Sequence, residues 1–247
     1  MKAFRVMLKN ELKLSLRGMD MVIFAVAMPL VILVILGIVF GQKPAAEGVE
    51  YTFLEQSFGA LATISISAGG LMGLPLVVSD YRAKQILKRY QVTPIQPWLI
   101  LLVDVMMYVI YSFVSLVTLF LAASIFFGFK MHGNVLYFIL GWLLVMMSVF
   151  SIGIMVGGVA KDSKTAGVLA SLLYFPMLVF SGATLPYEVM PAVMQKIVDI
   201  LPLTQGIKLL KCAVLGLPIE AAGVPVVVML VITGVCSVIG IKYFKWE

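Results

Sequence analysis

The sequence predicts an all-α integral membrane protein. It reads as six transmembrane helices with an N-terminal amphipathic interfacial helix, a cytoplasmic coupling helix and an external re-entrant helical segment before the last span. Three observations carry this. Of 247 residues, 62% are hydrophobic and only 12% charged, whereas a soluble domain carries about 25% charge. Uncharged runs near the roughly 20 residues needed to cross hydrocarbon recur along the chain. None of these runs shows the short alternation of a membrane β-strand, so each must satisfy its backbone hydrogen bonds within a helix. This composition excludes a water-soluble enzyme and a disordered chain.

The elements follow in order. Over 1–18, Phe4, Leu8, Leu12 and Leu16 recur every four residues beside a stripe of Arg5, Lys9, Lys13 and Arg17. That pattern suits a helix lying in the headgroup region. The run at 21–42 is longer than the roughly 7–15 residues of a signal-peptide core and has no small-residue cleavage site after it, so it reads as the first span. Further spans are expected at 56–79, 98–129, 135–160, 165–183 and 221–241, giving a single transmembrane domain over 1–247. Pro29 and Pro75 fall inside spans, where proline bends a helix. The pairs Gly37/Gly41, Gly69/Gly73 and Gly153/Gly157 have the spacing that lets two helix backbones approach.

Charge sets the expected orientation. With both termini cytoplasmic, thirteen Lys and Arg fall inside and five outside, as the positive-inside rule requires. The net charge of +6 is therefore assigned to headgroups and not to nucleic acid. The first external loop is acidic, with Glu47, Glu50 and Glu55. Cys212 and Cys236 form no metal or disulfide framework, and His132, the single histidine, reads as a loop residue.

Two segments are unusual. Over 80–93, good helix formers end at Pro94, and Arg82, Lys84, Lys88 and Arg89 face an apolar side of Ile86, Leu87 and Tyr90. A short amphipathic helix of this kind suits docking into a groove on a partner. Over 184–215 the chain is too apolar for a water-exposed loop, yet Pro186, Pro191 and Pro202 cut it into pieces too short to span. It reads as a re-entrant segment with Lys196, Lys208 and Lys211 near the outer headgroups.

Several chemistries are missing. No Gly-Lys pair exists, so the chain has no Walker-type phosphate loop. One histidine cannot furnish a Ser-His-Asp set. The one clear acid within a span is Asp104, about two turns from the start of the third helix, where snorkelling or pairing with a Lys or Arg is expected.

The two unusual segments resemble the type-2 exporter permeases of the ATP-binding-cassette transporters. Tyr81, Arg82, Lys84, Leu87, Lys88, Arg89, Val92, Thr93 and Pro94 match that family's tract after the second span. Ala83 stands at its acidic position, and Gln85-Ile86 replaces its Gly-Thr pair. Phe180-Ser181-Gly182, Pro186, Met190-Pro191 and Leu201-Pro202-Leu203-Thr204 match its late tract. The resemblance extends over nearly the whole chain.

The resemblance implies the transmembrane subunit of an ATP-driven exporter in the cell membrane, working by alternating access and without enzymatic activity of its own. ATP and Mg would be held by two copies of a separate ATPase subunit. A second permease, identical or paralogous, would complete a dimer within the membrane lipid. Tyr81, Arg82, Lys84, Leu87, Lys88 and Arg89 would couple to the ATPase, and Pro186, Pro191 and Pro202 would shape the outer gate. No cofactor or metal site is expected in this chain. Spans without midplane charge suit a hydrophobic or amphiphilic cargo such as a drug, antibiotic, peptide or lipid. The competing expectations are an ion-coupled secondary transporter and a non-transporting accessory subunit.

Overall fold

A computed structural model describes residues 2–40, 43–45, 48–85, 96–182, 187, 190–218 and 220–243. Helix α1 runs Lys2–Gly18, and Met19 turns the chain with φ of 61°. A π turn at Val22–Ala27 leads into α2, Met28–Phe40. Next, α3 (Phe53–Ser67) passes through a second π turn, Ala68–Gly73, into α4 (Leu74–Ala83). The remaining elements are α5 (Pro97–Phe127), α6 (Val135–Val159), α7 (Ser163–Phe180), the short α8 (Ala192–Val198), α9 (Pro202–Leu215) and α10 (Glu220–Tyr243). Among the described residues the one strand-like pairing is an isolated bridge between Pro44 and Thr52.

Among the described residues, six helices are long and apolar enough to cross a membrane, namely Val22–Phe40, Phe53–Ala83, Trp98–Phe127, Val135–Val159, Ser163–Phe180 and Glu220–Gly240. The chain is a multi-pass membrane protein. The second span begins three residues before the sequence expectation and runs four residues past it. Its start is fixed by a capping box, in which the Thr52 hydroxyl accepts from Glu55 N–H and the Glu55 carboxylate accepts from Thr52 N–H.

Both expected proline bends are π turns. Pro29 and Pro75 each follow one, with Met28 N–H donating to the Ile23 carbonyl and Leu74 N–H to the Gly69 carbonyl. A proline ring collides with the carbonyl four residues back and donates no hydrogen bond. One wider turn immediately before it removes the collision while the helix continues.

The second span runs through the middle of the bundle and is its most buried spanning helix. Its glycines explain how. A Cβ at Gly153 of α6 would overlap the Gly70 carbonyl, and Gly157 lies on the backbone of Pro75 beside Val78. Gly69 and Gly73 sit against the ring of Tyr108 on α5. The small-residue pairs of the second and fourth spans thus bring helices of one chain together. Around this centre, α2, α5, α7 and α10 expose apolar side chains such as Ile38, Phe113, Leu172 and Val227. Such a perimeter is what lipid contact demands.

Alternating spans place α1 and the ends of α4, α6 and α10 at one end of the bundle. The starts of α3, α6 and α10 lie at the other. Helix α9 enters from this second end and does not cross. Its Gly206 packs on Val145 and Met229, two to three turns inside α6 and α10, while Ala213 and Gly216 meet the loop at His132 and Gly133. Its 14 residues cover about 21 Å, short of a hydrocarbon core of about 30 Å.

Candidate functional site

At the first end, the residues expected to couple to a partner divide into distinct roles. Tyr81 and Arg82 lie in the last turn of α4, Lys84 caps it, and Gln85 takes a left-handed φ of 51°. Leu87, Lys88 and Arg89 lie outside the described residues, as does most of the segment expected at 80–93. Arg82 points into the bundle, where its Nη1 donates to the carbonyls of Gly157 (3.2 Å), Gly158 (2.6 Å) and Ala160 (2.8 Å). These are carbonyls at the end of α6 that the helix itself leaves without donors. Arg82 therefore fastens the end of the second span to the end of the fourth. Lys84 instead faces outward and pairs with Asp80 at 2.8 Å.

Tyr81 reaches sideways. Its hydroxyl donates to Asp104 Oδ1 at 3.3 Å, and Glu11 of α1 lies close by, its carboxyl raised above the ordinary range by burial against the opposing effect of a hydrogen bond from Tyr81. Asp104 is 1% exposed, and its Oδ2 has no hydrogen-bond partner. The cation expected beside Asp104 is replaced by a tyrosine, because the neighbouring guanidinium is already committed to α6. This cluster joins α1, α4 and α5, and Leu8 and Leu12 of α1 add apolar contacts to the core.

At the second end, Glu55 is a junction. Besides capping α3 it accepts from Lys130 N–H at 3.2 Å and lies 3.2 Å from His132 Nε2. His132 N–H and Gly133 N–H in turn donate to the Val214 carbonyl at the end of α9. His132 is thus a loop residue with a partner, and the loop before α6 ties α3 to α9.

A second polar network holds α8 against α9. Lys208 Nζ lies 2.6 Å from Asp199 Oδ1 and 3.3 Å from the Tyr187 hydroxyl, which donates to Asp199 Oδ2 at 3.1 Å. Gln195 donates to the carbonyls of Tyr187 and Met190, and Gln205 to that of Asp199. Pro191 caps α8 and Pro202 opens α9, where a missing N–H leaves no helix bond unmade. Pro186 lies outside the described residues. Sequence reasoning singled out these prolines and missed the Tyr187–Asp199–Lys208 set. The available signal was an acid and a lysine nine positions apart in an otherwise apolar stretch.

Among the described residues, six apolar helices with one buried carboxylate toward each end define a helical multi-pass membrane protein. The family model described as ABC-2 type transporter matches residues 2–215, and the chain belongs to that family. It is similar to the inner membrane transport permease YhhJ of Escherichia coli (strain K12) and of Shigella flexneri. Each is 31% identical over 119 residues, covering 48% of this chain and 32% of the relative. The match thus spans about a third of those relatives' length.

Proposed function

We propose that this chain is the transmembrane subunit of an ATP-driven exporter in the plasma membrane, with both termini in the cytoplasm. It moves a hydrophobic or amphiphilic substrate outward by alternating access. Two copies of a separate ATPase hold ATP and Mg, and a second permease subunit completes the pathway. The observation that carries this reading is the family membership over residues 2–215. The Arg82 clamp supports it physically. Force applied to the segment after Ala83 enters both the second and fourth spans at once, because Arg82 joins their ends. The α8–α9 segment, entering the bundle without crossing it, suits a closure of the outer end.

The test is purification of the chain from native membranes in mild detergent, followed by an ATPase assay of the eluate. A stoichiometric ATPase stimulated by lipophilic compounds is expected. A chain that emerges alone and ATPase-free from several detergents would overturn the reading.

A further inference from the structure

The inner face of α1 carries Leu8, Glu11 and Leu12, which are three and four positions apart and share one side of a helix. The two leucines pack on the core, and the carboxyl between them is half-buried. An acid on a docking face is costly, because an ionised carboxylate loses hydration there. Glu11 instead meets Tyr81 of α4 and, through it, Asp104 of α5.

One hydroxyl serves both acids. Tyr81 Oη lies 3.3 Å from Asp104 Oδ1 and also bonds the Glu11 carboxyl. It has a single hydrogen to give. When that hydrogen goes to one carboxylate, the other acid can bond the same oxygen only by carrying a proton of its own. Asp104 is 1% exposed and its Oδ2 has no hydrogen-bond partner, so ionising both acids leaves a buried charge without a donor.

The surrounding groups are placed as follows. Arg82 of α4 is bonded to the carbonyls at the end of α6, and Lys84 pairs with Asp80. From α5, Tyr108 interacts with both acids and with Tyr111, and its ring is held against Gly69 and Gly73. Arg5, Lys9 and Lys13 of α1 line a separate groove on that helix. Burial raises the Glu11 carboxyl above its ordinary range, the direction a retained proton requires.

We propose that Glu11, Tyr81 and Asp104 form a proton-binding site that latches α1 to α4 and α5. With α1 docked, the two carboxyls hold one proton between them, bridged by the Tyr81 hydroxyl. As pH rises that proton passes to solvent, two carboxylates face one donor, and α1 undocks. Docking is thus strongest in acid. It is complete below the ordinary Glu11 value near 4.5 and is lost as pH climbs through the raised, docked value. This site does not rest on the export reading.

The test is hydrogen exchange of the full chain in neutral detergent from pH 5 to pH 8, corrected for the intrinsic effect of pH. Protection over residues 2–18 is expected to fall about tenfold across this range, and by no more than about tenfold per unit, the limit for one proton. Protection over residues 135–159 should stay constant. Glu11→Gln should keep α1 protected throughout, and Asp104→Asn should reduce the fall to less than about threefold, since one acid then faces one hydroxyl. An infrared carboxylic-acid band should fade with the same midpoint and be missing from Glu11→Gln, which counts the proton without relying on the Asp104 variant. Protection of α1 that ignores pH would overturn the proposal. So would an unchanged fall in Asp104→Asn, a parallel fall over 135–159, or a carboxylic-acid band that persists in Glu11→Gln.

Discussion

At the scale of single residues, the sharpest contrast lies between two glycines. A methyl at Gly153 meets the Gly70 carbonyl, which is backbone and cannot turn aside, whereas at Gly223 nothing lies within 4 Å. We expect Gly153→Ala to destabilise by about 1–3 kcal/mol through overpacking. Gly223→Ala should stabilise by about 0.5–1 kcal/mol, the ordinary gain of alanine in a helix. Thermal unfolding in detergent followed by size exclusion separates the two, and similar melting temperatures would contradict the backbone contact. Glu11 makes a pH prediction. Its folded carboxyl has a raised pKa, so ionisation weakens the docked state. The penalty is absent below its ordinary value near 4.5 and complete once pH exceeds the folded value. Glu11→Gln should therefore stabilise at pH 7 and match wild type at pH 4, and a gain that persists at pH 4 would point to another cause. The spacing of Gly153 and Gly157 announced a close backbone approach, but which backbone Gly153 meets and what surrounds Glu11 were not visible, since those neighbours lie far along the chain.

At the scale of elements, the sequence was most informative where the rule is local. Pro29 and Pro75 marked the bends, and their π form follows from the geometry of the preceding turn. The four-residue stripe of α1, read in sequence as facing lipid tails, is divided in the fold. Leu8 and Leu12 pack on the core, but Leu16 is 55% exposed. Steps of four advance a helix of 3.6 residues per turn by about 40° each, so three steps carry Leu16 off the buried face. The α8–α9 hairpin shows the other limit. Its prolines announced short helices, but the Asp199–Lys208 pair that fixes their angle joins residues nine positions apart. Asp199→Asn should loosen this hairpin by about 1 kcal/mol, leaving a half-buried ammonium with a weaker acceptor. Breaking the exposed Asp80–Lys84 pair should cost no more than about 0.5 kcal/mol. Hydrogen exchange over residues 192–215 distinguishes them: faster exchange in the first variant only supports the network, and equal exchange would refute it.

At the scale of the whole molecule, span number followed from hydropathy alone, while the arrangement of spans did not. Lipid is as apolar as a protein interior, so hydrophobic pattern cannot tell a central helix from a peripheral one. The second span is central because its glycines accept Tyr108 and the α6 backbone. The same blindness affected the basic tract. In sequence, Arg82 reads as one more docking cation beside Lys84, Lys88 and Arg89. In the fold it closes the end of α6 across 75 to 78 positions of sequence. Reversing all four charges would therefore mix loss of docking with damage to the bundle, and the tests must be separated. Arg82→Ala should cost about 1.5–3 kcal/mol, since it strips a charged donor from several carbonyls at once. Lys88→Glu with Arg89→Glu should leave the melting temperature unchanged and abolish copurification of an ATPase. If this second variant retains the ATPase at wild-type stoichiometry, docking does not run through the tract after α4. If Arg82→Ala melts like wild type, the clamp between second and fourth spans does not carry force, and the mechanical part of the proposal fails with it.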